Sequence, residues 1–262
     1  MPALFAHELF GREVAKQLPE PLNTIVTAHF TEFRIGLQGP DLFFFYRPYK
    51  SNAVTRYGNH LHEIPAKPFF LHGLSVVHEK GRESQEYAYL LGFLCHFVLD
   101  SFCHPYVAQA MADTGIAHLE IEEELEKALI RQSGRDPFTF RLDRLVPTDE
   151  ATARSIVPFY ETDLPTVRTS LRWLRLVKRL FYAPRLPKET FLKAVMKAVG
   201  KYDSMGGLVL HHQDNPKCSE STDKLLSLFR HAVPEAVRLA ENLDGCILDG
   251  GVLDPRFDRT FE

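Results

Sequence analysis

Residues 92–106 read GFLCHFVLDSFCHPY. A run this apolar forms a helix only if the helix is buried, yet three ionisable groups stand inside it: His96, Asp100 and His104. An α-helix turns about 100° per residue, so steps of four drift only about 40° and the three side chains share one narrow stripe. Neighbours four apart on a helix face meet each other. An unpaired buried carboxylate costs several kcal/mol, and ionisable groups enter cores when they are paired or ligating. Two arrangements satisfy the stripe. Asp100 accepts hydrogen bonds from core histidines, or a divalent metal takes all three groups at once. The helix alone leaves both open. Cys95 and Cys103 lie on the same helix but point about 100° away from the adjacent imidazoles, as small core fillers do.

The rest of the chain is helical in pattern. Leu9, Phe10, Val14, Ala15 and Leu18 give a helical spacing over 7–18. Further helices are predicted over 22–34, 65–79, 84–104, 115–132, 150–160, 165–182, 187–202 and 219–243. Pro105 ends or kinks the histidine helix at His104. IGLQGPDLFFFYRPYKSN and QSGRDPFTFRLDRLVPTDEAT read as irregular connections, and the segment from Asp249 as loop. Period-2 alternation is scarce. The expected fold is all-α, a single multi-helix domain over residues 1–248, with chemistry in residues 1–131, completing helices in 150–248, and a C-terminal tail at 249–262.

Charge and composition narrow the function classes. The net charge of −3 does not mark a nucleic-acid binder. No apolar run reaches the roughly 18 residues of a membrane span. The first residues, MPALFAHELFGREV, lack the basic region and long apolar core of a signal peptide, and the four cysteines form no CxxC pair. These features lead to the expectation of a reducing, cytoplasmic setting. Of the 12 histidines, nine lie between His7 and His118, so chemistry is sought in the first half.

There the polar groups accumulate. His7 opens an amphipathic helix, Asp41 stands before an aromatic run in GPDLFFFY, and His60 and His62 lie in GNHLHE. His118 and Glu122 repeat the i,i+4 spacing of the stripe. Each has an ordinary explanation alone: a surface histidine, a helix cap, an exposed ion pair. Together they offer about eight nitrogen and oxygen ligands, too many for one tetrahedral zinc and enough for two or three ions. Imidazole with carboxylate and no thiolate suits zinc at a catalytic centre. Two metals a few Å apart clamp the attacking and leaving oxygens of a displacement at phosphorus. The residue types therefore point to metal-assisted hydrolysis of a phosphate ester.

FAHELFG, GPDLFFFY, GNHLHE, GFLCHFVLDSFCHPY and HLEIE occur in this order, and in them the chain resembles the zinc-dependent phospholipase C family, which is related in fold to single-strand-specific zinc nucleases. The resemblance covers about residues 1–130. It implies one zinc on Asp41, a histidine of the 60–62 pair, His96 and Asp100. His62 is favoured over His60 because the family's pattern spaces glycine and histidine that way. It implies a second zinc on His104, His118 and Glu122, and a third on His7, with Asp100 bridging to the first. Asp41 would also orient or deprotonate the attacking water. Secreted relatives complete the third site with an N-terminal tryptophan. The only tryptophan here is Trp173, and six residues precede His7, so two zinc ions are expected to bind tightly and a third less tightly. His29, His72, His78 and His231 are read as structural or surface residues, and His211 and His212 as outside the ligand set.

The substrate expected from these readings is a phospholipid or other phosphodiester, attacked by zinc-bound hydroxide. Of Phe43, Phe44, Phe45 and Tyr46, at least two are expected in the core, and the others at a lipid-binding mouth. Residues 166–185 combine Arg168, Arg172, Arg175, Lys178, Arg179 and Arg185 with apolar positions. Such a helix packs with a basic solvent face or lies peripherally on an anionic membrane. A nuclease or nucleotidase on the same metals and a non-catalytic scaffold braced by zinc stay open as alternatives, although no specific nucleic-acid partner is expected.

Overall fold

The structure, a computed structural model, describes residues 3–261 apart from the side chains of Asp203 and Ser204. Its α-helices are α1 (Leu4–Ala15), α2 (Leu22–Ala28), α3 (Phe30–Gly36), α4 (Ala53–Glu63), α5 (Lys67–Lys80), α6 (Gln85–Thr114), α7 (His118–Gln132), α8 (Glu150–Ile156), α9 (Leu164–Phe181), α10 (Leu186–Ala198), α11 (Tyr202–Met205) and α12 (Ser219–Asp249). No strand occurs among the described residues. The fold is all-α, as its sequence pattern requires.

The 30-residue α6 is the axis of the fold. A helix that is apolar on every side must be enclosed by other helices, and α6 is buried almost continuously from Glu86 to His104. Helices α1, α2, α3, α5, α8 and α12 pack around it. It is long and apolar enough to cross a membrane by length and composition, but 83% of its most apolar window is buried inside the protein. Ser84 caps its start by accepting from the Tyr87 N–H at 3.2 Å. Its end lies beyond the expected one. Pro105 sits inside the helix, which continues to Thr114 and stops where Gly115 takes a left-handed φ of 70°. Pro105 removes one backbone donor, but Val107 and Ala110 beyond it are buried, and their burial favours keeping the chain helical.

Other elements differ from expectation as well: the helix expected over 22–34 is broken at His29 into α2 and α3, and the one expected over 187–202 ends at Ala198. α4 was not marked by the sequence, because its apolar face is short: Val54, Tyr57 and Leu61 at steps of three and four, of which only Leu61 is buried. Asn52 caps it, accepting from Thr55 N–H at 2.9 Å. Gly39–Phe45 is a short 3-10 helix rather than loop. In the tail, Pro255–Asp258 forms another 3-10 turn, and Phe257 and Phe261 are fully buried in the main core. The final residues therefore complete the hydrophobic interior instead of trailing from it.

Candidate metal centre

The site begins with a close approach of two backbones. Gly36 near the end of α3 faces Gly92 on α6, and a Cβ on either would collide with backbone of the other helix. This contact brings the chain leaving α3 against α6 one turn after Gly92, where His96 stands. The Nδ1–H of His96 donates to the Leu37 carbonyl at 3.1 Å. Gly39 follows with φ of 50°, and a side chain there would overlap the His96 imidazole. The turn then delivers Asp41 to the cluster. From α4, the Nδ1–H of His62 donates to the Gly58 carbonyl at 2.8 Å, and its Nε2 reaches Asp41 Oδ1 at 2.9 Å.

Asp100 lies between three imidazoles. His7 Nε2, from α1, is 3.2 Å from Oδ1; His96 Nε2 is 3.1 Å and His104 Nε2 3.9 Å from Oδ2. On α7, His118 Nε2 contacts Glu122 Oε1, which lies 3.9 Å from His104 Nε2. Three groups of ligand atoms result: His7, His96 and Asp100; Asp41, His62 and His96; and His104, His118 and Glu122. Within each group the atoms lie within 4.8 Å of one another. All eight residues expected from the sequence come together, with His96 shared by two groups. His62, not His60, faces inward; His60 is exposed.

These donors fit a metal better than they fit each other. Both nitrogens of His7, Nε2 of His62, His96 and His104, both oxygens of Asp100 and Oε2 of Glu122 are buried without a well-formed hydrogen bond among the described residues. Backbone carbonyls hold the protons of His62 and His96 on Nδ1, which leaves Nε2 of each as the ligating atom. The set is imidazole and carboxylate without thiolate, the chemistry zinc accepts at catalytic centres.

The electrostatics agree. Burial alone would raise the Asp100 carboxyl, but His96, His104 and His7 hold it well below the ordinary carboxylate range. Asp41 is likewise pushed up by burial and brought below its ordinary value by the positive charges around it, His62 and His96 among them. Burial lowers His96. For His62 and His118 burial also acts downward, but the adjoining carboxylates of Asp41 and Glu122 carry each above its ordinary value.

The family profile for zinc dependent phospholipase C matches residues 6–167 of this sequence, well over half of the chain. The chain belongs to the zinc-dependent phospholipase C family. No curated protein and no solved structure gives a match. The matched span contains all three ligand groups and stops early in α9, so α10 to α12 lie outside it.

Sequence reasoning missed several residues around the site. Glu126 extends the His118–Glu122 stripe by another step of four; it is buried and accepts from the Phe5 N–H at 2.6 Å, tying α7 to α1. Lys178, expected on a solvent face, is buried, because it continues the inward stripe of Leu171 and Leu174. Burial raises Glu126 and lowers Lys178, and each opposes the other's shift. Phe261 packs its ring 5.3 Å from that of His62 and 5.9 Å from that of His96, and closes the site from behind. Its spacing of four from Phe257 was the available signal. Of the aromatic run, Phe43 and Phe45 are core, while the half-buried Phe44 stacks on His62 at 5.1 Å. His211 binds Glu123 on the next face of α7, with Nδ1 at 2.7 Å from the carboxylate, and His212 stacks on Phe138 at 4.1 Å. Neither belongs to a ligand group.

Proposed function

We propose that this protein is a zinc-dependent phosphodiesterase acting on phospholipid, releasing diacylglycerol and a phosphorylated headgroup. The observation that carries this reading is the placing of Asp100 among three imidazoles, with Oδ1 toward His7 and Oδ2 toward His96 and His104. A carboxylate can offer one oxygen to each of two adjacent ions, whereas His96, with Nδ1 held by the Leu37 carbonyl, offers one nitrogen to one ion. Bound there, zinc supplies Lewis acidity, drawing charge from phosphoryl oxygens and acidifying water.

The chain's own groups do the rest. The Leu37 and Gly58 carbonyls fix the imidazole rings of His96 and His62, so the donor atoms need no reorganisation during turnover. Asp41 is kept ionised and orients the attacking water, taking its proton. His118 has the most exposed side chain of the eight, at 37%, which makes its edge of the cluster the side of substrate approach. Phe44, half-buried on the His62 ring, adds apolar surface beside the Asp41–His62–His96 group. The free cysteines suit the cytoplasmic setting, which is part of the same proposal.

The test is turnover by zinc-loaded protein on phospholipid, on bis(p-nitrophenyl) phosphate and on single-stranded DNA. Diacylglycerol release is expected. Preference for DNA would replace the lipid reading with the nuclease one, and inertness on all three with zinc bound would leave zinc as a structural brace.

A further inference from the structure

Helix α10 buries little. Its inward residues Leu192 and Met196 join a satellite cluster with Ala183 and Val209, apart from the main core. The rest of the helix should then be polar, as on any surface helix. Instead Phe191, Ala194, Val195 and Ala198, with Val199 at the C-cap, are all exposed. These positions follow the i, i+3, i+4, i+7, i+8 spacing of a single helical face. Phe191 is 66% exposed and Val199 63%. Leu176 and Leu180 on the outer side of α9, and Leu186 at the start of α10, are exposed as well.

The charges around this face have one sign. From Leu164 to Lys201 the chain carries ten Lys and Arg residues and one Glu, in a protein whose net charge is −3. Arg172, Arg179 and Arg185 are exposed and form no ion pair among the described residues. That Glu, Glu189, is buried and bound to Lys193 at 2.9 Å. An exposed apolar stripe fringed by uncompensated cations is the composition that settles into the boundary of an anionic bilayer. Water alone gives no reason to display Phe191, Val195 and Val199 together.

The chain also leads from this face to the site. After α10 the chain passes through α11 and the 3-10 turn Gly206–Leu208 onto α7, where Gly207 lies against the Leu119 backbone. Leu119 is next to His118, the most exposed residue of the metal centre. We infer that the outer face of α9 and α10, centred on Phe191, Val195 and Val199, is a docking surface for anionic lipid bilayers that sets the open edge of the metal centre beside the membrane. This inference rests on the lipid reading of the site for its purpose, but not for its test.

The experiment is vesicle flotation at 4 °C with zinc-loaded full-length protein. It compares vesicles of phosphatidylcholine alone with vesicles containing about a third phosphatidylglycerol. Binding to the anionic vesicles is expected to be at least tenfold tighter and to weaken with salt. The triple variant F191S/V195S/V199S is expected to lose at least tenfold in binding. A control variant, L248S/V252S, removes exposed apolar residues outside the face and is expected to bind as wild type. Equal binding by the triple variant, or no preference for anionic vesicles, would overturn the inference. So would sedimentation showing that the face instead pairs two copies of the chain, with no lipid binding. Circular dichroism checks the fold of each variant, and the single variant Val199→Ser, at the helix end, gives the same reading at smaller amplitude. Turnover of bis(p-nitrophenyl) phosphate separates the two claims. Turnover without vesicle binding sinks the docking surface alone, and vesicle binding without turnover sinks the phosphodiesterase alone.

Discussion

Gly36 and Gly92 meet backbone to backbone: a Cβ on Gly36 would lie 3.0 Å from the Gly92 Cα and inside the Tyr89 carbonyl. Two residues without side chains thereby set the position of the metal centre, because the α3–α6 contact fixes Leu37, Gly39 and Asp41 against His96. Gly36→Ala or Gly92→Ala is expected to destabilise the protein by at least the ~1–3 kcal/mol typical of overpacking, since backbone cannot rotate away as a side chain would. Zinc affinity should fall with stability. Urea unfolding with parallel zinc titration checks this; wild-type behaviour of Gly92→Ala would mean that the contact is looser than its geometry.

Asp100 and His7 make unequal contributions to the cluster. Asp100 approaches His7, His96 and His104, so Asp100→Asn is expected to reduce zinc content and activity more than His7→Ala, which empties one corner of one group. The comparison is elemental analysis and turnover, with folding verified by circular dichroism. The reverse ranking would make the group around His7 the catalytic one.

His60 and His62 separate cleanly by burial. His62→Ala removes a buried imidazole that faces Asp41, whereas His60→Ala alters only an exposed side chain. Loss of about one zinc per chain is expected for the first and none for the second. Equal losses would contradict the inward orientation of His62.

What the sequence disclosed and what it hid follow one rule. His96, Asp100 and His104 were legible because one helix carries them at steps of four, and His118 with Glu122 for the same reason. Asp41, His7 and His62 come from separate elements, and nothing local reports that Gly36 and Gly92 will draw those elements together; only resemblance to a family joined them in advance. Helix α4 was passed over because its apolar face is only Val54, Tyr57 and Leu61, set among polar residues and two histidines. Lys178 was misplaced because a lysine counts as solvent-facing until its neighbours Leu171 and Leu174 are given equal weight. The tail was read as loop from its glycines and proline, and its two phenylalanines decide its place.

Phe261 tests that last point. Its ring lies against Phe93, Phe97, His62 and His96. Phe261→Ala is expected to cost about 3–5 kcal/mol, as large aromatic truncations in cores do. It should also loosen the two imidazoles and weaken zinc binding. Thermal melting with zinc titration reads both effects; an unchanged melting temperature would show that the tail is dispensable.

The pH dependence of stability should invert when zinc binds. In the metal-free protein, His62 and His118 have folded pKa values above their unfolded ones. Their contribution is fully present below the unfolded value of about 6.5 and is lost as pH rises through the folded values. Asp41 and Asp100 are held low, so theirs is present above about 4 and is lost as pH falls through the folded values. His96, lowered by burial, works against His62 and His118. The metal-free chain thus holds protons on imidazoles that zinc requires neutral, and loading must expel them. The zinc-bound state is therefore favoured as pH rises above about 6.5 and through the folded values of His62 and His118, while the His62–Asp41 and His118–Glu122 pairings of the metal-free protein weaken over the same range. The increase in melting temperature on adding a fixed zinc concentration should grow steadily with pH across this window. The measurement is a grid of melts over pH and zinc. A zinc-induced shift of the same size at every pH would mean that no protons leave on binding, and the imidazoles of His62, His96, His104 and His118 would then be a hydrogen-bond network rather than ligands.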